Sequence, residues 1–289
     1  DNQWFYQDVL EMLDNVLEVF IKEAPPEISR AVRSAQAERS VGVGVMGFHS
    51  YLQSKMVPWE SAVAKSINFQ IFKTIRRHLE HANKILGTIR GEAPDAKGTG
   101  KRCSHIMAIA PTASSSIILG NTSPSIEPYR SNVYRQDTLS GSHTTRNKYL
   151  DRIIQKMTGV PKIADEIWQQ ILSNDGSIQD MDCFTQEEKD VFKTAMEIDQ
   201  RWLIELASDR APEIDQGQSV NLFFRPDADV KYFHATHFMA WKQGVKALYY
   251  CRSDKLRKAD KINERIERVI IDQIDMKKLV EGDDCLACQ

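Results

Sequence analysis

SVNLFFRPDADVKYFHATHFMAWKQGVKALYY, residues 219–250, is the stretch whose pattern decides the fold. Residues 219–224 read as a strand, residues 229–243 as a helix closed by Gly244, and residues 245–250 as a second strand. Strand, helix and strand in that order predict a βαβ-like unit, and hence an α/β class with abundant helix. Upstream, Thr185 and Glu188 have the spacing of a capping box and open a helix predicted over 185–208. Two shorter helices are predicted over 148–157 and 164–172, after a polar and irregular stretch over 126–145. A short apolar strand, 105–110, is broken by Pro111. Before it, a long helix is predicted over 58–86, its broad apolar face carrying Val63, Ile67, Phe72, Ile75 and Leu79. The chain begins with an amphipathic helix over 4–24, ended by Pro25 and Pro26, and a second, polar helix reaching about Arg39. Beyond Arg252 the sequence turns strongly charged, which divides the chain into a folded body, 1–252, and an appended arm, 253–289.

The 289 residues are 42% hydrophobic, and 38 basic residues against 40 acidic ones give a net charge of −2. That composition supports a buried core and excludes disorder as the main description. Without a basic stripe, a dedicated nucleic-acid binder is not expected. No apolar run approaches the roughly 18 residues of a spanning helix, and no export signal opens the chain, so no membrane association and a cytoplasmic location are expected. The first residue is Asp1 rather than Met, which predicts either processing or a piece of something longer. Five cysteines in such a chain are read as thiols rather than a disulfide framework.

Several motifs have more than one reading. Gly42, Gly44 and Gly47 match a dinucleotide-binding spacing, but a polar helix end precedes them where that fold needs a buried strand. A strand whose glycines admit close backbone approach is the better reading. The pairs His78 with His81 and His234 with His237 lack further ligands at recognisable spacing and are read as packing or surface residues; no metal is expected. Pro111, Thr112, Ala113, Ser114 and Ser115 follow a strand with small side chains and hydroxyls. They suit either a phosphate cradle or a Ser-rich turn, and with no Walker lysine a nucleotide triphosphatase is not indicated. For Tyr249 and Tyr250 the residues alone favour a packing pair over a redox pair. Cys285 and Cys288, two residues apart, can close a local disulfide and pass two electrons by exchange. Their position on a terminal arm predicts a shuttle rather than a zinc site or a thioredoxin-type centre.

Taken in order, GVGVMGFHSYL (42–52), IAPTASSSIILGNTSPSIEPYRSNVY (109–134), DQGQSVNLFF (215–224), HFMAWKQGVKALYY (237–250) and the terminal CLAC resemble the large subunit of class I ribonucleotide reductase. The resemblance implies the second half of a ten-stranded α/β barrel with surrounding helices and a flexible C-terminal tail. It implies that Pro111, Thr112, Ala113, Ser114 and Ser115 bind the substrate diphosphate, and that Glu127 lies in an Ile-Glu-Pro segment on the substrate side. It further implies that Tyr249 and Tyr250 relay a radical, and that Cys285 and Cys288 re-reduce an active-site disulfide.

The same resemblance implies partners. They are an N-terminal large-subunit chain carrying the thiyl cysteine and the nucleotide effector sites, a metal-containing small subunit that supplies the radical, thioredoxin or glutaredoxin, and ribonucleoside diphosphates. No cofactor is expected on this chain itself. Cys103, Cys183 and Cys251 are read as bystanders. The chain is then expected to be the C-terminal portion of a split or truncated subunit, of the kind found among phages. A non-catalytic module that keeps the fold and only binds nucleotide or the small subunit is the rival reading, and an independent thiol oxidoreductase a weaker one.

Overall fold

The computed structural model describes residues 3–138 and 141–253. The first helix, α1 (Gln3–Glu23), ends at Pro25, and after a short 3-10 turn α2 (Ser29–Glu38) closes on Arg39 in the left-handed conformation, φ 44°. The glycine-spaced segment leads into α3 (Phe48–Ser54), and Ser61 caps α4 (Ala62–Arg90) by accepting from the Ala64 N–H. Beyond Pro111 come α5 (Ala113–Ile118), a hairpin of β1 (Val133–Thr138) and β2 (Gly141–Arg146), and the helices α6 (Lys148–Thr158) and α7 (Pro161–Ser173). Next are α8 (Gln186–Val191) and α9 (Gln200–Arg210), then β3 (Leu222–Phe223), α10 (Val230–Lys242) and β4 (Cys251–Arg252).

Four extended segments line up in parallel. Val43 pairs with Met107, Ile109 with Gln218, and β3 with β4, each in parallel. The hydrogen bonds run Val43 N to Ile106 O at 2.9 Å, Ser219 N to Ile109 O at 2.9 Å, and Leu222 N to Tyr250 O at 2.9 Å. Parallel neighbours need helical crossovers. Here α3 and α4 make the first, α5 to α9 lie within the second, and α10 makes the third. The α/β class follows, and with it the predicted strand, helix and strand of residues 219–250. Its second strand falls later than expected, because residues 245–248 first close α10, with Val245 N bonding Ala240 O.

The glycines at 42 and 44 work as close-approach residues and open no dinucleotide fold. A Cβ on Gly42 would lie 2.8 Å from the Ala108 Cβ, and one on Gly44 2.6 Å from the Ala108 carbonyl oxygen. Two other expectations fail. The helix predicted over 185–208 is two helices, because residues 192–199 leave helical geometry to dock on other elements. Ala195 N bonds Tyr129 O, and the buried Gln200 side chain donates to Ala195 O and Ile198 O while accepting from Phe223 N. The stretch 126–145, expected to be irregular, contains the antiparallel β1–β2 pair in the register Val133 to Arg146. Its polar residues carry no apolar alternation to announce strands.

The main core packs α4 and α9 against the parallel segments, with Phe72, Leu79, Met107, Ile204, Leu222 and Phe223 all buried. A second core gathers Leu150, Ile154, Trp168, Ile171 and Phe192 around α6, α7 and α8. One buried carboxylate ties the first helices to this body. Asp14 on α1 meets Arg39 at 2.6 Å, Arg90 at 2.8 Å and Arg102 at 3.2 Å. Burial pushes the Asp14 carboxyl up, but the hydrogen bonds from Arg90 and Arg39, with the charges of Arg39 and Arg102, outweigh it and hold the group below its ordinary value. Among the described residues, no helix is long and apolar enough to cross a membrane.

Gly44→Ala forces the 41–43 and 105–109 segments apart and should cost about 1–3 kcal/mol, read as a lower melting temperature. Gly217→Ala, where a Cβ meets nothing within 4 Å, should be close to neutral. Asp14→Asn leaves the guanidinium cluster without its charge and should cost about 3–5 kcal/mol at neutral pH. Because the folded-state pKa of Asp14 is lowered, its contribution is complete above the unfolded carboxylate range and is lost as pH falls from there through the lower folded-state value. Acid denaturation curves of the variant and the parent should therefore converge.

Candidate active site

The turn predicted as a cradle or a Ser-rich turn sits at the carboxyl end of the 105–109 segment, where ligands of parallel α/β sheets characteristically bind. Thr112 takes the left-handed conformation, φ 47°, at the N-cap of α5. Its hydroxyl makes no cap, because it accepts from the Ser125 N–H at 2.8 Å instead. The first-turn N–H groups of Ala113, Ser114 and Ser115 have no intrahelical acceptor, and all three residues are exposed. Ser116 N bonds Thr112 O, and the Ser116 hydroxyl turns inward to Ala113 O. The start of α5 thus carries unpaired peptide donors and two exposed hydroxyls, groups suited to an anion's oxygens.

Residues 121–129 lie against the start of α3. Gly47 N and Phe48 N donate to Ser123 O and Ser125 O. The buried Ser50 hydroxyl accepts from Ser123 N at 2.8 Å and from Thr122 Oγ1, and is 2.6 Å from the Tyr129 hydroxyl. His49 Nδ1 accepts from Tyr129 N at 2.9 Å, which places the ring proton of the neutral imidazole on Nε2. Burial lowers the His49 pKa to about 3, so the ring stays neutral.

The Tyr249 and Tyr250 rings stand 4.2 Å apart, tilted by 54°, with 45% and 41% of their surfaces exposed. The Arg252 guanidinium lies 5.1 Å from the centre of the Tyr250 ring. Beneath the pair, Asn221 is buried. Its Oδ1 accepts from the Tyr250 N–H at 3.0 Å, and its Nδ2 donates to a carboxylate oxygen of buried Glu127. Burial pushes the Glu127 carboxyl up to about 7, although the Asn221 hydrogen bond and the charges of Arg252 and Arg130 pull it down. Glu127 also lines a small cavity with Trp59 and Arg210.

The structure thus places the 111–115 turn and the tyrosine pair at two ends of one bonded frame. Thr112 holds Ser125, and two residues later Glu127 holds Asn221 and through it Tyr250. Cys285 and Cys288 lie outside the described residues. Burial pushes the Cys103 thiol up to about 12, so this bystander is unreactive, whereas Cys183 and Cys251 are exposed. His78 stacks on Tyr6 at 5.0 Å and His237 packs on Phe233 at 4.2 Å. Among the described residues, no three His, Cys, Asp or Glu side chains come together as metal ligands. Sequence reasoning missed His49, Ser50 and Asn221. The one signal was Asn221 itself, an amide inside an otherwise apolar strand, which demands buried partners.

Known proteins share this fold. The family model described as "Ribonucleotide reductase, barrel domain" matches residues 4–95 and 91–251. The ribonucleoside-diphosphate reductase large subunits of Invertebrate iridescent virus 6 and Invertebrate iridescent virus 3 are each 53% identical over 91% of this chain, which spans 28% and 42% of their lengths. The solved alpha subunit of the Actinobacillus ureae class Id ribonucleotide reductase superposes with a TM-score of 0.81 at 38% identity, covering 88% of this chain and 47% of that one. The chain therefore spans less than half the length of the relatives it matches. With nearly all the described residues inside the family match, and the expected α/β fold in place, this chain belongs to the ribonucleotide reductase barrel-domain family.

Proposed function

We propose that this chain is the C-terminal part of a ribonucleoside-diphosphate reductase large subunit, which reduces ribonucleotides to deoxyribonucleotides by radical chemistry. It acts together with an N-terminal large-subunit chain, which carries the thiyl cysteine and the effector sites, and with a radical-generating small subunit. The observation that carries this reading is the tyrosine pair. Two phenols in contact, with ring centroids 4.2 Å apart and both partly open to solvent, can pass an oxidising equivalent inward from a docked partner. In each step the donor phenol gives up one electron and its proton, and its oxidised neighbour takes up an electron and a proton to become a phenol again. A buried packing pair would need no such opening.

The turn supports the substrate half of the proposal. The N–H groups of the exposed Ala113, Ser114 and Ser115, with two hydroxyls, suit a diphosphate, and Pro111 and Thr112 set the turn. Reduction of the substrate turns a pair of thiols into a disulfide and releases water. Cys285 and Cys288 would return that disulfide to thiols by exchange, and thioredoxin or glutaredoxin would reduce them in turn.

Two substitutions in the assembled reductase test the parts separately. Tyr250→Phe removes the proton-bearing oxygen and should abolish turnover while nucleotide binding persists; undiminished turnover removes the relay. Cys285→Ser should stop multiple turnover driven by thioredoxin yet leave reaction with a small dithiol that reaches the active site directly. Equal loss, or equal survival, with the two reductants would count against the shuttle.

A further inference from the structure

In a regular strand successive side chains point to opposite faces, so neighbouring residues do not stack. Tyr249 and Tyr250 are neighbours, yet their ring centroids lie 4.2 Å apart, and the backbone shows how. Both of their N–H groups are directed at the same adjoining segment: Tyr249 N bonds the Val220 carbonyl at 2.9 Å, and Tyr250 N bonds the Asn221 side chain at 3.0 Å. The ladder has one residue too many at this point, and a local bulge of this kind re-aims a side chain. Asn221 accepts the surplus N–H only if its amide is turned the right way, and the Glu127 carboxylate, which can only accept, turns it so.

We infer that Glu127 is a positioning residue for the tyrosine pair, acting through Asn221 on the Tyr250 main chain. The inference rests on the relay reading of Tyr249 and Tyr250. Around Glu127 the charged groups are Arg252 on β4, Arg130 on its own loop and Arg210 across the small cavity, where the other lining residues are uncharged. The Arg252 Nε is buried and has no hydrogen-bond partner among the described residues, so the Glu127 charge is the compensation near it. Above about pH 7 the ionised carboxylate fixes the Asn221 amide and faces Arg252. Below that pH the carboxyl carries a proton and can donate to the Asn221 oxygen, in competition with the Tyr250 N–H.

The test uses the complete large subunit, alone and assembled with its small subunit. Glu127→Leu should raise the exchange rate of the Tyr250 amide about tenfold and lower kcat about tenfold with KM unchanged, the scale of one lost hydrogen bond at a critical position. Glu127→Gln keeps an acceptor and should rescue most of both losses, while removing the decline in Tyr250 protection and in kcat that the parent shows as pH falls through about 7. Unaltered Tyr250 protection in the Leu variant, a Gln variant as impaired as the Leu one, or an acid decline that survives in the Gln variant would each overturn the inference. Should Glu127→Leu fail to fold, the pH profile of Glu127→Gln decides alone. An assembled enzyme without any reductase activity would defeat the relay reading instead, and amide exchange at Tyr250 would still judge the role of Glu127.

Discussion

Everything else in this molecule depends on the close parallel approach of its extended segments. Parallel pairing cannot be made by tight turns, so helices connect each segment to the next and cover the sheet. At Val43 and Met107 the approach is so close that neither Gly42 nor Gly44 has room for a Cβ. That crowding puts the carboxyl end of the 105–109 segment beside α3, and it is there that Pro111 and the α5 turn begin. The anion-suited turn is thus a consequence of strand packing rather than an independent device.

A polar segment, residues 121–129, crosses this apolar body, and burying it carries a large desolvation cost unless its groups are paired. The pairing is nearly complete. Ser50 alone meets Thr122, Ser123 and Tyr129, while His49 meets the Tyr129 amide. Apart from the buried Ser125 hydroxyl, which has no hydrogen-bond partner among the described residues, the paired members hold one geometry, because displacing any of them would leave an unpaired buried group. Rigidity in this segment is what lets Glu127 reach Asn221 on a different strand.

Much of this was legible from the residues. The first strand and the helix of 219–250, the long α4 and the capping box at Thr185 all follow from local chemistry that tertiary contacts do not overrule, whereas the second strand comes only at Cys251–Arg252. The helix over 185–208 misled because its apolar spacing continues through residues 192–199, where the Tyr129 carbonyl and the Gln200 amide claim the backbone for other bonds. The β1–β2 hairpin was hidden by polar residues, and the partial exposure of the tyrosine pair was hidden because spacing says nothing about exposure. Asn221 could be seen as an oddity in an apolar strand, but its two partners lie 94 and 29 residues away in sequence.

The tyrosine pair shows why those distant partners matter. The relay proposed for the pair asks two things of adjacent phenols that oppose one another: contact between rings, which favours a packed interior, and access from outside, which favours a sheet edge. Placing the rings on the last segment of the array meets the second demand, and the surplus residue in the ladder meets the first. An irregular backbone at an edge would ordinarily be loose, since its extra N–H could bond water instead. A buried amide whose orientation is set by a buried carboxylate removes that freedom from the inner side, leaving the outer side of the rings open for a partner.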